Sequence, residues 1–171
     1  MKHLNRSALI ALHDYNVYAN NLVLETAAKM SEDELSRQSS PSHGSVINLL
    51  RHVFGCEYYF LILCMGTKPE DAGTDLPSLS TLRDYFAALG ERRAGYLDAV
   101  NEYELTAEIT VNIGKGEFTL PRWQLMAQSL IHSIHHRGEL SIVMTGLGYP
   151  LPTLDPILKY VSDSGQVWPQ Y

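Results

Sequence analysis

His132 and His136 stand four residues apart in the run Gln-Ser-Leu-Ile-His-Ser-Ile-His-His-Arg-Gly, residues 128–138. On a helix such a pair lies on one face, with Cβ atoms about 5–6 Å apart. Two imidazoles so placed can grip one transition metal, and a further ligand must then come from elsewhere in the chain. His52 is the natural third donor. It falls on the stripe Ser45, Leu49, His52, Cys56, Tyr59, Leu63 of another helical segment, and metal sites in helical bundles are assembled from inward side chains of facing helices. Three imidazoles leave at least one position for water or substrate. That set suits zinc or nickel foremost, with iron, manganese or copper as further candidates. The alternative is a group of core histidines satisfied by hydrogen bonds, because a bare buried imidazole is costly.

Other side chains near this set are weighed beside it. His135 lies about 100° to one side of the pair, on the stripe Gln128, Ile131, His135, Glu139, Ile142, with Glu139 as its expected partner at i+4. Glu139 can orient His135 or His136. Glu57 follows His52 by five residues, about 140° around the helix, which suits a packing partner or a hydrogen-bond partner of a ligand better than a ligand. Arg137 either meets a substrate carboxylate or forms a solvated or interhelical ion pair. Cys56, one turn beyond His52, reads as a small buried hydrophobe. His13, beside Asp14, reads as a surface or edge residue, and His43 as a solvent-exposed loop residue near the mouth of a site. Tyr58, Tyr59 and Trp123 read as core or interface residues.

The elements that must position these groups follow from periodicity and punctuation. Residues 4–30 carry Leu4, Ala8, Leu12, Tyr15, Ala19 and Leu22 at helical spacing, with no Gly or Pro between them. Ser31 to Glu34 reads as a capping box opening a short helical turn. Ser45 caps a second long helix to about residue 64, and Ser78 or Ser80 a third over 79–101, after a Gly- and Pro-rich loop at 66–80. Ile109, Val111 and Ile113 alternate with polar residues, Gly114-Lys115-Gly116 signals a turn, and Phe118 and Leu120 resume the alternation: a β-hairpin over 108–120. Pro121 is expected in the first turn of a fourth helix that runs to about residue 147 and stops at Gly148 and Pro150. The tail, 149–171, is Pro-rich, with one short helix near 157–162. The expected fold is all-α: a four-helix bundle forming one domain over 1–171, with its core at 4–148.

Composition excludes several function classes. A chain of 171 residues with 45% hydrophobic and 19% charged residues fits a folded domain. Its formal charge of −6 and scattered Lys and Arg argue against nucleic acid and membrane surfaces as partners. The longest apolar stretch, 53–66, is short for a bilayer and contains Glu57. Cys56 and Cys64, eight residues apart, lie about 12 Å apart along a helix, too far for a disulfide. A reduced, cytoplasmic protein is expected, and residues 1–12 lack a signal-peptide core.

Gly44-Ser45, then His52 followed by Glu57, and His132-x-x-x-His136-Arg137-Gly138 together resemble the DinB/YfiT-like family over about residues 4–148. Tyr15-Asn16 and Ala19-Asn20-Asn21 also resemble its N-terminal pattern. The resemblance implies a down-up-up-down four-helix bundle, usually dimeric, holding a divalent metal on His52, His132 and His136. It also implies a small-molecule substrate, since relatives include S-transferases that use low-molecular-weight thiols and a mycothiol-dependent isomerase. Glu139 departs from the Gln that often follows Arg-Gly in the family. The expected activity is a metal-dependent thiol S-transfer, with Glu57, Glu139 and Arg137 as candidate catalytic groups. A metal-dependent hydrolase using bound water and a non-catalytic, metal-stabilised dimeric module are the alternatives.

Overall fold

The computed structural model describes residues 3–67, 76–114 and 116–168. Part of the loop expected at 66–80, Lys115 of the hairpin turn and the last three residues of the tail lie outside these limits. Four long helices make the bundle: α1 (Arg6–Ala27), α3 (Val46–Met65), α4 (Leu79–Ala99) and α6 (Arg122–Gly146). Between them come α2 (Glu32–Ser36), α5 (Glu102–Thr106) and the hairpin β1 (Glu108–Ile113) and β2 (Gly116–Pro121), and α7 (Pro156–Asp163) follows.

Local chemistry sets these boundaries. Asn5, Ser45 and Ser78 each accept a backbone N–H with the side chain at a helix start, satisfying a donor that the helix itself cannot. Ser31 with Glu34 and Asn101 with Glu104 form full capping boxes on α2 and α5. Gly66 ends α3 in the left-handed conformation (φ 69°), which costs a glycine nothing sterically. The hairpin is antiparallel, pairing Glu108 with Pro121 and Ile113 with Gly116. Pro121 thus closes the ladder and serves as the N-cap position of α6, one residue earlier than the expected first turn. The five-residue α5 is an element that sequence periodicity does not reveal.

The bundle is not a simple up-and-down one. α1 packs on α4 and α6, and α3 packs on α4 and α6, so α1 and α3 sit across the bundle from each other. The start of α1 meets the end of α4, where the Arg6 guanidinium donates to the Leu97 and Asp98 carbonyls. The first turns of α3 share an apolar cluster with Leu140, Val143 and Met144 at the end of α6, and with Leu82 and Phe86 at the start of α4. Hence α1 opposes α4 and α3 opposes α6, while α3 runs with α4 and α1 with α6, a down-up-up-down arrangement. α3 is long and apolar enough to cross a membrane by length and composition, and half of it is buried inside the bundle, where it is a core helix.

At the centre of the bundle lies a polar layer. Glu57, 1% exposed, pairs with Arg93 (Oε2 to Nη2, 2.5 Å). Its Oε1 accepts from Asn16 (2.8 Å), Asn20 (2.8 Å) and Ser133 (2.7 Å). Burial alone would raise its pKa, but Arg93 and these donors outweigh it and keep the carboxylate ionised. Arg137 donates to the side-chain Oδ1 atoms of Asn16 and Asn20 (2.6 Å each) and lies over the Tyr15 ring, so all four long helices contribute to one network. His13 sits against it. Contrary to the expected surface position it is 3% exposed. The core stripe of α1 is therefore rotated toward His13, Asn16 and Asn20, polar residues that a hydrophobic pattern places outside.

Two stability measurements follow. Glu57→Ala leaves Arg93 buried without its anion and should cost about 3–5 kcal/mol in denaturant unfolding. Burial, with help from the Arg93 charge, holds His13 at a pKa of about 3 against its ordinary 6.5. The unfolded chain then binds one more proton than the native state between those values, so stability falls as pH drops from 6.5 towards 3. The loss from this group is up to about 1.4 kcal/mol per pH unit. His13→Leu should flatten that slope in urea titrations between pH 7 and 5; an unchanged slope would refute the buried neutral imidazole.

Candidate metal centre

Near the crossing of α3 and α6, four imidazoles meet. His52 on α3 and His132 on α6 approach Nε2 to Nε2 at 3.0 Å. His136, one turn further along α6, packs its ring against both, with centroids 4.4 Å from His132 and 4.7 Å from His52. The fourth is His43, from the turn before α3. Its ring stacks on His52 at 3.8 Å, and one nitrogen from each of His43, His52 and His136 lies within 4.8 Å of the others. The three histidines singled out by spacing are thus gathered in one place, and His43, expected in solvent, is half-buried among them.

The antiparallel packing of α3 on α6 brings this about. Residues just ahead of Ser45 must fall beside the second half of α6. The turn is closed tightly: the Ser39 and Ser40 amides donate to the Gly44 carbonyl, and the Gly44 amide donates to the Ser40 carbonyl. Gly44 holds φ at 81°, where a side chain would be strained. The turn is also bound to α6. Glu139 Oε1 accepts from Ser40 Oγ (2.6 Å) and the Ser42 amide (3.2 Å), and Oε2 from Ser42 Oγ (2.6 Å). Burial works against that carboxylate, but the serine donors win and bring its pKa down to about 2.

The donor set fits a divalent transition metal. Two neutral imidazoles whose Nε2 atoms face each other at 3.0 Å need either a proton or a cation between their lone pairs. In a tetrahedral site with metal–nitrogen bonds near 2.0–2.1 Å, ligand nitrogens stand about 3.4 Å apart, close to the 3.0 Å between His52 and His132. All three helical histidines are held towards the neutral, ligating form. Burial is the main cause for each, and it brings His52, with help from His43, His132 and His136, to about 4. Glu139 Oε2 lies 3.5 Å from His136 Nδ1, close enough to favour a proton there but too long for a good hydrogen bond.

The remaining candidates fall outside the cluster. Glu57 is committed to Arg93 and the polar layer, and is linked to the site through Ser133, the neighbour of His132. Arg137 is 3% exposed and engaged with Asn16 and Asn20, which rules out the solvated reading. His135 is exposed and its ring packs on His136, while Glu139 turns away from it to the serine turn. Cys56 packs among partly buried apolar residues. Two surface clefts, one around Cys64, Tyr96 and Arg122 and one around Asn21, Glu25 and Arg83, contain none of the histidines.

Both cysteines are free, and burial pushes each thiol up to about 12. Their thiolate fraction at pH 8 is then on the order of a thousandfold below that of an ordinary cysteine. Iodoacetamide, followed by mass spectrometry, should label both at least a hundredfold more slowly in the native protein than in guanidinium. Rapid native labelling of Cys56 would instead mark it as a reactive thiol beside His52.

No curated protein matches the chain. Among solved structures, a DinB-like protein from Bacillus cereus superposes with TM-score 0.71 at 18% identity, covering 89% of this chain and 99% of that one. A DinB-like protein from Bacillus subtilis gives 0.62 at 20% identity, covering 84% and 97%. A conserved protein from Enterococcus faecalis gives 0.60 at 17%, covering 77% and 92%. At these identities the likeness establishes the fold. The DinB family's sequence model matches residues 1–165, and on that match the chain belongs to the DinB family.

Proposed function

We propose that this chain is a metal-dependent enzyme that activates a low-molecular-weight thiol for transfer to an electrophilic small molecule. The observation that carries the reading is the meeting of His52, His132 and His136 between α3 and α6: His52 faces His132 Nε2 to Nε2 at 3.0 Å, a nitrogen of His136 lies within 4.8 Å of one on His52, and each imidazole is favoured in its neutral form. A divalent ion held there, zinc or nickel in the first place, lowers the pKa of a thiol or water that binds to it.

The chain's own residues supply the rest. His132 and His136 are set in place by α6, whose intervening Ser133 and following Arg137 are fixed in the polar layer. Glu139 favours a proton on His136 Nδ1, which leaves Nε2 as its ligating atom. Desolvation pushes up the thiols of half-buried Cys56 and buried Cys64, which favours a separate molecule as the reacting thiol. Arg137 is already engaged, and recognition of the electrophile falls to groups at the rim of the site. A homodimer is part of the same proposal. Ile131, Ile134 and Ile142 stand 61%, 48% and 77% exposed along the outer face of α6, an apolar row of the kind a second copy would cover. The free cysteines support a reducing, cytoplasmic setting.

Metal analysis of untagged protein tests the site. The wild type and His135→Ala should hold close to one equivalent of metal, and His52→Ala, His132→Ala and His136→Ala should lose it. Loaded protein screened against electrophiles should turn over only when a small thiol is added. Turnover without thiol would make the protein a hydrolase working through bound water. Full metal occupancy with neither activity would leave a metal-stabilised module.

A further inference from the structure

His43 is the one member of the histidine cluster that does not sit on a helix. Nothing in the triad reading requires it, yet its ring lies flat on His52 and edge-on to His136, with centroids 3.8 and 5.2 Å away. Its placement is held by a chain of hydrogen bonds whose direction can be worked out. Glu139 accepts through both oxygens, Oε1 from the Ser40 hydroxyl and the Ser42 amide and Oε2 from Ser42 Oγ (2.6 Å), so Ser42 Oγ spends its single proton on Oε2. Ser42 Oγ also lies 2.6 Å from His43 Nδ1 and, having no second proton, must accept there. A neutral His43 ring so bonded carries its proton on Nδ1 and has its lone pair on Nε2. A carboxylate acting through a partner on the far nitrogen of an imidazole is how metal-ligating histidines are oriented. The His43 amide, donating to Ser40 Oγ at 3.1 Å, and the closed Ser40–Gly44 turn fix the backbone beneath the ring.

We infer that His43 is a fourth, displaceable imidazole ligand of the metal, held in place by Ser42 and Glu139, and that the Ser40–Gly44 turn is the latch that must lift it before a thiol can enter. The inference rests on the metal site proposed above. His52, His132 and His136 stand on α3 and α6, whose neighbouring residues are bound into the polar layer. Among the described residues, the hydrogen bonds from the turn to α6 all go to one side chain, Glu139, and none of them enters the polar layer.

Cobalt(II) alone is the probe, added to the full chain, because its visible absorption reports coordination number. Wild-type protein should give the intense bands of a four-coordinate site. His43→Ala and His43→Gln should weaken and shift them, with the wild-type spectrum recovered on adding imidazole to His43→Ala. Ser42→Ala and Glu139→Ala should keep the ligand set but loosen cobalt about 10- to 100-fold in chelator competition. In a dithiothreitol titration the sulfur-to-cobalt charge-transfer band should appear in His43→Ala at roughly tenfold lower thiol than in wild type, because the position is already open. Identical spectra, affinity and thiol midpoints for wild type and both His43 variants, with cobalt bound, would overturn the fourth ligand and leave the triad standing. A wild type that binds no cobalt would overturn both. Circular dichroism of the variants separates these results from misfolding.

Discussion

The interaction on which the structure depends is the ionised Glu57 carboxylate at the centre of the bundle. A carboxylate stripped of water is tolerated only when its charge is compensated and its lone pairs are filled. Here Arg93 supplies the charge, and Asn16, Asn20 and Ser133 fill one oxygen. The compensation overshoots, since Arg137 brings a second buried cation, and this is absorbed by the asparagine carbonyls and the Tyr15 ring. Each long helix contributes at least one of these groups. Apolar packing tolerates small slides of helix on helix, whereas directional bonds to a single carboxylate do not, so the layer sets the register of the bundle.

The histidine centre inherits that register. On α6 the polar layer and the site interleave: His132 and His136 belong to one, and Ser133 and Arg137, each the next residue along, to the other. On α3, Glu57 follows His52 by little more than one turn. Fixing Glu57 against Ser133 therefore fixes His52 against His132, and the 3.0 Å between their Nε2 atoms reflects the same constraint. In this chain the histidines and the Asn16, Asn20, Glu57 and Arg137 positions thus belong together physically, because the buried ionic layer aligns the ligands.

Much of this was legible in the sequence, and the failures have a common cause. The caps at Ser31, Ser45 and Ser78, the hairpin alternation and the His132–His136 spacing are local signals, and the structure follows each within a residue or two. The phase of α1 was not legible. Leu4, Ala8 and Leu12 suggest one inner face, but His13, Asn16 and Asn20 turn inward because their partners stand on other helices. A hydrophobic pattern assigns polar residues to solvent and has no means of seeing Glu57 or Arg137 across the bundle. His43 was misplaced for the same reason, since only the antiparallel pairing of α3 with α6 carries its turn to Glu139. The short α5 did leave a mark, the Asn101-x-x-Glu104 capping box, which at five residues is too brief to show periodicity.

The interleaving on α6 also divides the molecule into parts with unequal freedom to change. A substitution that shifts either helix bearing the ligands disturbs an ionic layer shared by the whole bundle, and will tend to be eliminated with the fold. The Ser40–Gly44 turn is a hydrogen-bonded attachment at the margin, and its sequence can drift while the bundle stays intact. A lineage seeking new reactions on this scaffold would be expected to vary there first. A protein engineer has the same starting point: hold the layer constant and randomise the turn.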